Sequence, residues 1–224
     1  DTIQREPSPM EEEIGFILTN AAKYLSKAPT RQDVLSVFAG LRPLVKVGDS
    51  KSTAALSRDH TILISNSGLL TIAGGKWTTF RKMAEDAVDQ AQTMAGLDER
   101  PCKTVHLQIH GWTKQRAESF RLRCRRASGA GPRGGGAALA GKLHDELPYI
   151  KAEVGWAVRE EMARTVEDFL SRRTRGLLLG ARASIEAAPI VADLMARELG
   201  KDEAWKSQAV ADYRTVAQGY LLND

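Results

Sequence analysis

The residues best suited to chemistry lie in one stretch, in which an apolar run passes through two glycines into a helical pattern. It reads LLTIAGGKWTTFRKMAED and covers residues 69–86. Its first five residues are apolar and partly β-branched, which predicts a buried strand. Apolar residues then recur at helical spacing from Phe80 to Ala91, which predicts a helix with one covered face. The turn between the two elements carries Gly74, Gly75, Lys76 and Thr78.

Such a turn has the chemistry of an anion or carbonyl site. The first N–H groups of a helix lack partners within the helix, and the helix dipole is positive at that end. Lys76 adds a full positive charge and Thr78 a hydroxyl. A purely structural interpretation is also open, in which Thr78 caps the helix and Lys76 is a solvated surface charge. Spacing alone favours this second interpretation.

Two arginines, Arg42 and Arg58, are predicted at the ends of strands. The apolar segment Val34–Leu41 predicts a strand that ends at Arg42. Thr61–Ser65 predicts another strand, and the turn residues 66–68 connect it to the strand that starts at Leu69. This hairpin would place Arg58 and Lys76 at the same end of two antiparallel strands. We therefore expect two cations to face one pocket.

The composition of the chain excludes several classes of protein. The chain has 224 residues with 42% hydrophobic and 27% charged content, which is typical of a globular protein and not of a disordered tail. Its formal charge of +4 does not require a nucleic-acid partner. The two cysteines, Cys102 and Cys124, lack metal-ligand spacing, so we expect no metal site. No apolar run approaches the roughly 20 residues of a membrane span, so membrane contact would be peripheral.

The other elements are mostly helical. We predict helices from about Pro9 to Leu25 with Ser8 as N-cap, and from Thr79 to about Gly96. Residues 103–110 alternate loosely and predict a strand. Beyond Glu146 the chain predicts helices, with a bend near residues 164–165, a new turn at Pro189 and a final helix capped by Asp202.

The segment from Gln115 to Gly141 has a different character, being rich in arginine, glycine and alanine. It literally contains GxGxxG, at Gly129, Gly131 and Gly134, but no strand is predicted before it and Pro132 lies inside it. We therefore interpret it as a linker and not as a dinucleotide fingerprint. An alternative function rests on this segment: a non-enzymatic helical binding module that contacts anionic partners through its arginines.

Four blocks resemble the FAD-dependent, quinone-linked glycerol-3-phosphate dehydrogenases. They are FAGLRPL (residues 38–44), SRDH (57–60), AGGKWTTFRKMAEDAV (73–88) and ELPYIKAEVGWAVREEMARTVEDFLSRRTR (146–175). Their order and spacing extend the resemblance over about three quarters of the chain. This is far more specific than any single motif.

The resemblance implies an α+β fold class. Residues 1–112 would be the last part of a FAD-binding, D-amino-acid-oxidase-like domain, with substrate-domain strands and the final flavin-binding strand and helix. Residues 113–145 would be the linker and 146–224 an all-α C-terminal domain. The family's dinucleotide fingerprint lies near its N-terminus and has no counterpart here. We therefore expect the C-terminal part of a longer enzyme, inactive alone.

The resemblance also implies roles for individual residues. Arg42 and Arg58 match family arginines at the substrate site, and Lys76 matches a lysine where substrate and flavin meet. Gly74, Gly75 and Thr78 match positions that contact the isoalloxazine end of FAD. The general base is not identified: His60 is the local candidate, but a structural role is the simpler interpretation.

The reaction implied is oxidation of sn-glycerol 3-phosphate to dihydroxyacetone phosphate by hydride transfer to FAD, with electrons passed to a membrane quinone. It further implies peripheral contact of the full-length enzyme with the inner face of the cell membrane, from the cytoplasm, and no nucleic-acid partner. It is compatible with a homodimer.

Overall fold

The structure, a computed structural model, describes residues 6–41, 45, 59–109 and 139–222. The chain forms two compact units: the helical unit, residues 1–40 and 114–224, and the strand–helix unit, residues 41–113. The domain boundaries predicted from the sequence stay predictions, because residues 110–138 lie outside the described part.

The described residues form, in chain order, α1 (Glu11–Ala21), β1 (His60–Ile64), β2 (Leu70–Gly74), α2 (Phe80–Met94), α3 (Lys151–Glu160), α4 (Gly176–Leu179), α5 (Ala181–Leu199) and α6 (Glu203–Gln218). Short 3-10 turns at Arg31–Asp33, Trp77–Thr79 and Thr104–His106 and a π-helix at Asp168–Arg173 complete them. None of the helices in these ranges is both long enough and apolar enough to cross a membrane.

The helical unit has a closed apolar core, in which α5 packs against α3 and α6. Its largest fully buried side chains include Leu147, Phe169, Leu170, Leu177, Met195 and Tyr213. Burying one such side chain contributes about 1.5–3 kcal/mol. Asp202 caps α6 by accepting a hydrogen bond of 2.8 Å from the backbone N–H of Trp205, as predicted.

The predicted bend near residues 164–165 is confirmed. α3 ends at Glu160, and Met162 then adopts φ +58 with its side chain 74% exposed. Thr165 and Asp168 hydrogen-bond reciprocally: each side-chain oxygen accepts the backbone N–H of the other residue, both at 3.0 Å. This arrangement caps the helical residues 166–167 that lead into the π-helix, a form that is rare over six residues.

The prediction of a new turn at Pro189 is wrong, because α5 continues through that residue. Proline removes one helical hydrogen bond and crowds the preceding turn. Pro189 lies on the exposed side of α5, where the carbonyl that loses its partner can be hydrated. The buried side of the helix, including Val191 and Met195, packs in the core and keeps it continuous.

α1 is shorter than predicted and starts elsewhere. Met10, not Ser8, occupies the N-cap position, and its N–H donates to the Glu13 carboxylate at 3.3 Å. Of the predicted apolar stripe, Ile14 is buried, whereas Ile17 is 63% exposed. The helical periodicity thus correctly predicts a helix in this segment. It does not show which of the apolar residues on one face of that helix are buried.

Two predicted strands are absent from the described residues. Val34–Leu41 has no strand partner among the described residues. Instead, residues 35–37 bond to the ends of helices. Residues 103–109 contain the 3-10 turn at Thr104–His106 and not the predicted strand. The apolar run of the first segment and the alternation of apolar residues in the second both favour a strand, but neither segment is one.

The predicted hairpin is confirmed in the strand–helix unit. β1 and β2 pair antiparallel, with His60 opposite Gly74 and Ile64 opposite Leu70. α2 follows as predicted, and its end is marked by Gly96 at φ +61. Its apolar face is only partly covered within this unit, since Phe80 and Val88 are each 57% exposed.

Candidate functional site

The candidate site is the turn from β2 into α2, residues 74–79. The pairing of His60 with Gly74 puts this turn beside the start of β1. Gly74 and Gly75 take φ of +77 and +79, which L-residues with a Cβ rarely adopt. The N–H of Gly75 donates to the carbonyl of Asp59 at 3.3 Å and so closes the turn against β1.

The two glycines are also needed for close packing. A Cβ on Gly75 would lie 2.5 Å from Sδ of Met83 and 3.3 Å from Cβ of His60. A Cβ on Gly74 would lie 3.0 Å from the backbone oxygen of Asp59. The glycines therefore let α2 approach β1 closely, which fixes where the turn presents the residues that follow.

Thr79 makes the hydrogen bonds that start the helix. Its hydroxyl donates to the carbonyl of Lys76 at 2.9 Å and accepts the N–H of Lys76 at 3.3 Å. The structural interpretation had given this capping role to Thr78. The hydroxyl of Thr78, on an exposed residue, has no hydrogen bond recorded within the described ranges. It is therefore available to a ligand.

Lys76 is an exposed cation and makes no ion pair with any of the described residues. Lys82, one turn into α2, differs: its Nζ lies 2.8 Å from the Asp86 carboxylate, and this hydrogen bond raises the pKa of Lys82. No carboxylate in the described part of the chain neutralises Lys76, and it lies at the start of a helix, where the helix dipole adds to the attraction for an anion.

His60 joins β1 to α2 behind the turn. Its Nε2 lies 3.0 Å from Oδ2 of Asp86, and its side chain is only 15% exposed. The hydrogen bond from Lys82, reinforced by His60, lowers the pKa of Asp86, so this carboxylate is ionised and accepts the ring N–H of His60. The other ring nitrogen, Nδ1, is buried and has no hydrogen-bond partner among the described residues. No linear pattern indicates the contact between His60 and Asp86.

An exposed aromatic pair lies beside Lys76 and was also missed from sequence. Trp77 is 87% exposed and stacks on Phe80, with ring centroids 5.7 Å apart. Exposed, stacked aromatic rings are costly to leave in water and fit a flat, partly apolar partner. A tryptophan directly after Gly-Gly-Lys at a helix start was the available signal.

The other predicted site residues, Arg42 and Arg58, lie outside the described residues, as does the arginine-rich segment behind the alternative function. The pocket expected between Arg58 and Lys76 therefore stays a prediction. Within the described residues, no group of three His, Cys, Asp or Glu side chains is arranged to hold a metal ion.

The chain has recognisable relatives. Residues 70–206 match the family described as the C-terminal domain of alpha-glycerophosphate oxidase. This match runs from β2 through the candidate site to the first turn of α6 and takes in more than half of the chain. The chain therefore belongs to this family.

Curated relatives carry one name. The chain is 38% identical to the mitochondrial glycerol-3-phosphate dehydrogenase of Mus musculus, over 92% of this chain and 32% of that protein. It is 34% identical to the mitochondrial glycerol-3-phosphate dehydrogenase of Arabidopsis thaliana, over 90% of this chain and 37% of that protein. The chain thus spans about a third of the length of these relatives.

A solved structure shares the fold. It is the glycerol-3-phosphate dehydrogenase of Bacillus halodurans complexed with FAD, with a TM-score of 0.62 and 26% identity over 99% of this chain and 47% of that one. The predicted family resemblance and the predicted fold class, an α+β portion followed by an all-α domain, are confirmed by these matches.

Proposed function

We propose that this chain is the C-terminal part of a FAD-dependent glycerol-3-phosphate dehydrogenase. The observation that carries the proposal is the family match over residues 70–206, which includes the candidate site and the larger part of the helical unit. The names of the relatives and the FAD complex of the structural neighbour support it. The whole enzyme would oxidise sn-glycerol 3-phosphate to dihydroxyacetone phosphate.

The substrate would be held through its phosphate. Arg42 and Arg58 suit this role, because the planar guanidinium fork matches phosphate oxygens in two parallel hydrogen bonds. Lys76 would add a point charge where the substrate meets the cofactor. Its lack of an ion pair within the described part of the chain supports this role, since no carboxylate there competes with the ligand.

The turn residues fit one end of a flavin. Bound FAD would supply the hydride acceptor. Lys76 and the first N–H groups of the helical turn would stabilise negative charge at the ring edge, and the free hydroxyl of Thr78 would hydrogen-bond to it. Gly74 and Gly75 would place these groups by holding the turn against β1. The exposed Trp77–Phe80 pair offers an apolar surface beside them.

Several finer features belong to the same proposal. The electrons would pass to a membrane quinone, and the full-length enzyme would contact the inner face of the cell membrane peripherally, from the cytoplasm. A homodimer is compatible with the proposal. This chain would be inactive without the rest of the FAD-binding domain, because the relatives are about three times as long.

Replacing Lys76 in the full-length polypeptide tests the site directly. Lys76→Ala is expected to lower both FAD content and kcat/KM for sn-glycerol 3-phosphate, because this one cation would serve both ligands. Lys201→Ala is the matched control: Lys201 is also exposed and unpaired among the described residues, but it lies in the helical unit. Equal FAD content and kinetics in the two variants would remove Lys76 from the site.

A further inference from the structure

One residue, His60, contacts both sides of the candidate turn. On the strand side, His60 pairs with Gly74 across the hairpin, and its Cβ lies 3.3 Å from the position that a Cβ on Gly75 would take. On the helix side, its Nε2 lies 3.0 Å from Oδ2 of Asp86 in the second turn of α2. Among the described residues, no second hydrogen bond joins β1 or β2 to α2. One side chain therefore joins the two elements between which the turn runs.

The other hydrogen bonds of the turn act locally. The N–H of Gly75 donates to the carbonyl of Asp59, and the hydroxyl of Thr79 bonds to the backbone of Lys76. These bonds shape the chain around Lys76, but both partners of Thr79 belong to the turn itself. Lys76 and Thr78 are exposed side chains without packing of their own to hold them. Where they lie therefore depends on how α2 is held against β1.

The ring of His60 is arranged to hold these elements and not to react. The hydrogen bond from Lys82 lowers the pKa of Asp86, so the ionised carboxylate accepts the N–H of Nε2 and fixes the tautomer of the ring. Nδ1 is buried and has no hydrogen-bond partner among the described residues. A general base must reach the proton that it removes. In His60, one ring nitrogen is engaged by Asp86 and the other is shielded.

Resting on the proposed function, we propose that His60 is a positioning residue for the reaction with sn-glycerol 3-phosphate. By joining β1 to α2 through Asp86, it holds Lys76 and Thr78 where substrate and FAD would meet. A displacement of about 1 Å at a reacting centre can lower the rate about a hundredfold. A side chain that touches neither ligand therefore contributes to the reaction through the residues that it holds. The general base of the reaction is then another residue.

Two variants of the full-length enzyme separate the roles of the two ring nitrogens. The amide nitrogen of glutamine lies as many bonds from Cβ as Nε2 of histidine, and that of asparagine as many as Nδ1. His60→Gln can therefore still donate to Asp86, whereas His60→Asn is too short. We expect kcat/KM for sn-glycerol 3-phosphate to fall at least about tenfold in His60→Asn and less than about threefold in His60→Gln. Asp86→Ala breaks the same contact from the other side and should match His60→Asn. Equal losses in the asparagine and glutamine variants would overturn the proposal.

A double-mutant cycle separates positioning from simple loss of stability. If His60 acts through Lys76, the two substitutions are not additive. His60→Asn should then lower kcat/KM less than about threefold when Lys76 is already alanine. His144 is the matched control, because its Nε2 lies 2.9 Å from a carboxylate oxygen of Glu186 within the helical unit. His144→Asn should lower Tm without lowering kcat/KM. A loss in His60→Asn that is as large with Lys76→Ala as without it would overturn the proposal.

Hydrogen exchange on the same full-length variants gives a readout that is independent of activity. His60→Asn should speed exchange of the Gly75 amide, which is bonded to the carbonyl of Asp59, and His60→Gln should not. The amide of Ala95, bonded to Ala91 at the far end of α2, is the internal control. Unchanged exchange at Gly75 in His60→Asn would refute the positioning role alone. If exchange at Gly75 rises but Lys76→Ala leaves FAD content and kinetics unchanged, the proposed site fails, and this inference with it.

Discussion

His60 and Asp86 are joined by a contact of 3.0 Å between Nε2 and Oδ2, which ties the start of β1 to the second turn of α2. The candidate site is the turn from β2 into α2, and β2 pairs with β1. The contact between His60 and Asp86 therefore holds β1 and α2 together on either side of Lys76 and Thr78. The His60 side chain is largely buried.

Removing the contact between His60 and Asp86 should lower the stability of the strand–helix unit. Among the described residues, His60→Ala leaves the Asp86 carboxylate with Lys82 as its remaining side-chain partner and removes the hydrogen bond that joins β1 to α2. Urea unfolding of the full-length protein should show a lower free energy of unfolding for this variant than for the wild type. Asp89→Ala, an exposed carboxylate nearby on α2, should change stability by less than about 0.5 kcal/mol. Equal losses in the two variants would contradict the role of His60.

The glycines of the turn should respond differently from one another. An alanine in the left-handed region costs roughly 1–2 kcal/mol. Gly96→Ala measures this cost alone, since Gly96 has φ +61 and no atom within 4 Å of its Cβ position. Gly74→Ala should cost roughly 1–3 kcal/mol more, because its Cβ meets the backbone of Asp59.

Gly75→Ala meets the flexible end of Met83 instead, so adding Met83→Ala should recover the steric part and leave the backbone part. Thermal unfolding of the four variants measures these differences. If Gly74→Ala is no worse than Gly96→Ala, the close approach of the turn to β1 is not the reason for the glycine.

The carboxylate that starts the π-helix should make stability depend on pH. Partial burial works to raise the pKa of Asp168, but hydrogen bonds from the N–H groups of Arg164 and Thr165 outweigh it, so this pKa lies below its ordinary value. A carboxyl group whose pKa is lower in the folded protein stabilises the fold at any pH above its pKa in the unfolded chain. This contribution is lost as the pH falls through the pKa of the folded protein.

Asp168→Asn should therefore destabilise the helical unit by about 1 kcal/mol at neutral pH and by progressively less in acid. Asp145→Asn, at an exposed position, is the control. Unfolding curves from neutral pH down through the carboxyl range give the difference. A destabilisation by Asp168→Asn that stays constant with pH would show that the charge of Asp168 contributes nothing.

The sequence predicted the elements with strong periodicity or clear end signals. The hairpin followed from Asn66-Ser67-Gly68, and α2 ended near Gly96 as expected. The segment Val34–Leu41 was misassigned because an apolar segment that pairs as a strand and one that bonds to helix ends look alike in sequence. Likewise, nothing in a linear pattern shows that His60 meets Asp86, since contacts between distant residues depend on how α2 packs on the hairpin.

The site itself was only partly predictable. The chemistry of Lys76 and the need for Gly74 and Gly75 could be read from residue types and spacing. The exchange of roles between Thr78 and Thr79 could not, because adjacent threonines are equivalent until the 3-10 turn at Trp77–Thr79 fixes which hydroxyl faces back toward Lys76. Within the described part of the chain, Thr79 uses its hydroxyl at the helix start and Thr78 does not, so the hydroxyl of Thr78 can serve a ligand.

Substitution of the second substrate arginine should separate phosphate binding from cofactor binding. In the full-length enzyme, Arg58→Ala is expected to lower kcat/KM for glycerol 3-phosphate at least about tenfold, since a charge-assisted contact is worth roughly 1.5–3 kcal/mol. FAD content should change little. Arg182→Ala, an exposed arginine of α5, is the matched control. Wild-type kinetics in Arg58→Ala would remove it from the substrate site.

Anaerobic titration of the full-length protein tests the central claim most directly. The purified protein, reconstituted with FAD, should show the visible flavin absorption band. One equivalent of sn-glycerol 3-phosphate should bleach that band, whereas glycerol, which lacks the phosphate, should leave it unchanged. A soluble, folded protein that retains no FAD after reconstitution, or whose bound flavin is not reduced by sn-glycerol 3-phosphate, would contradict the assignment.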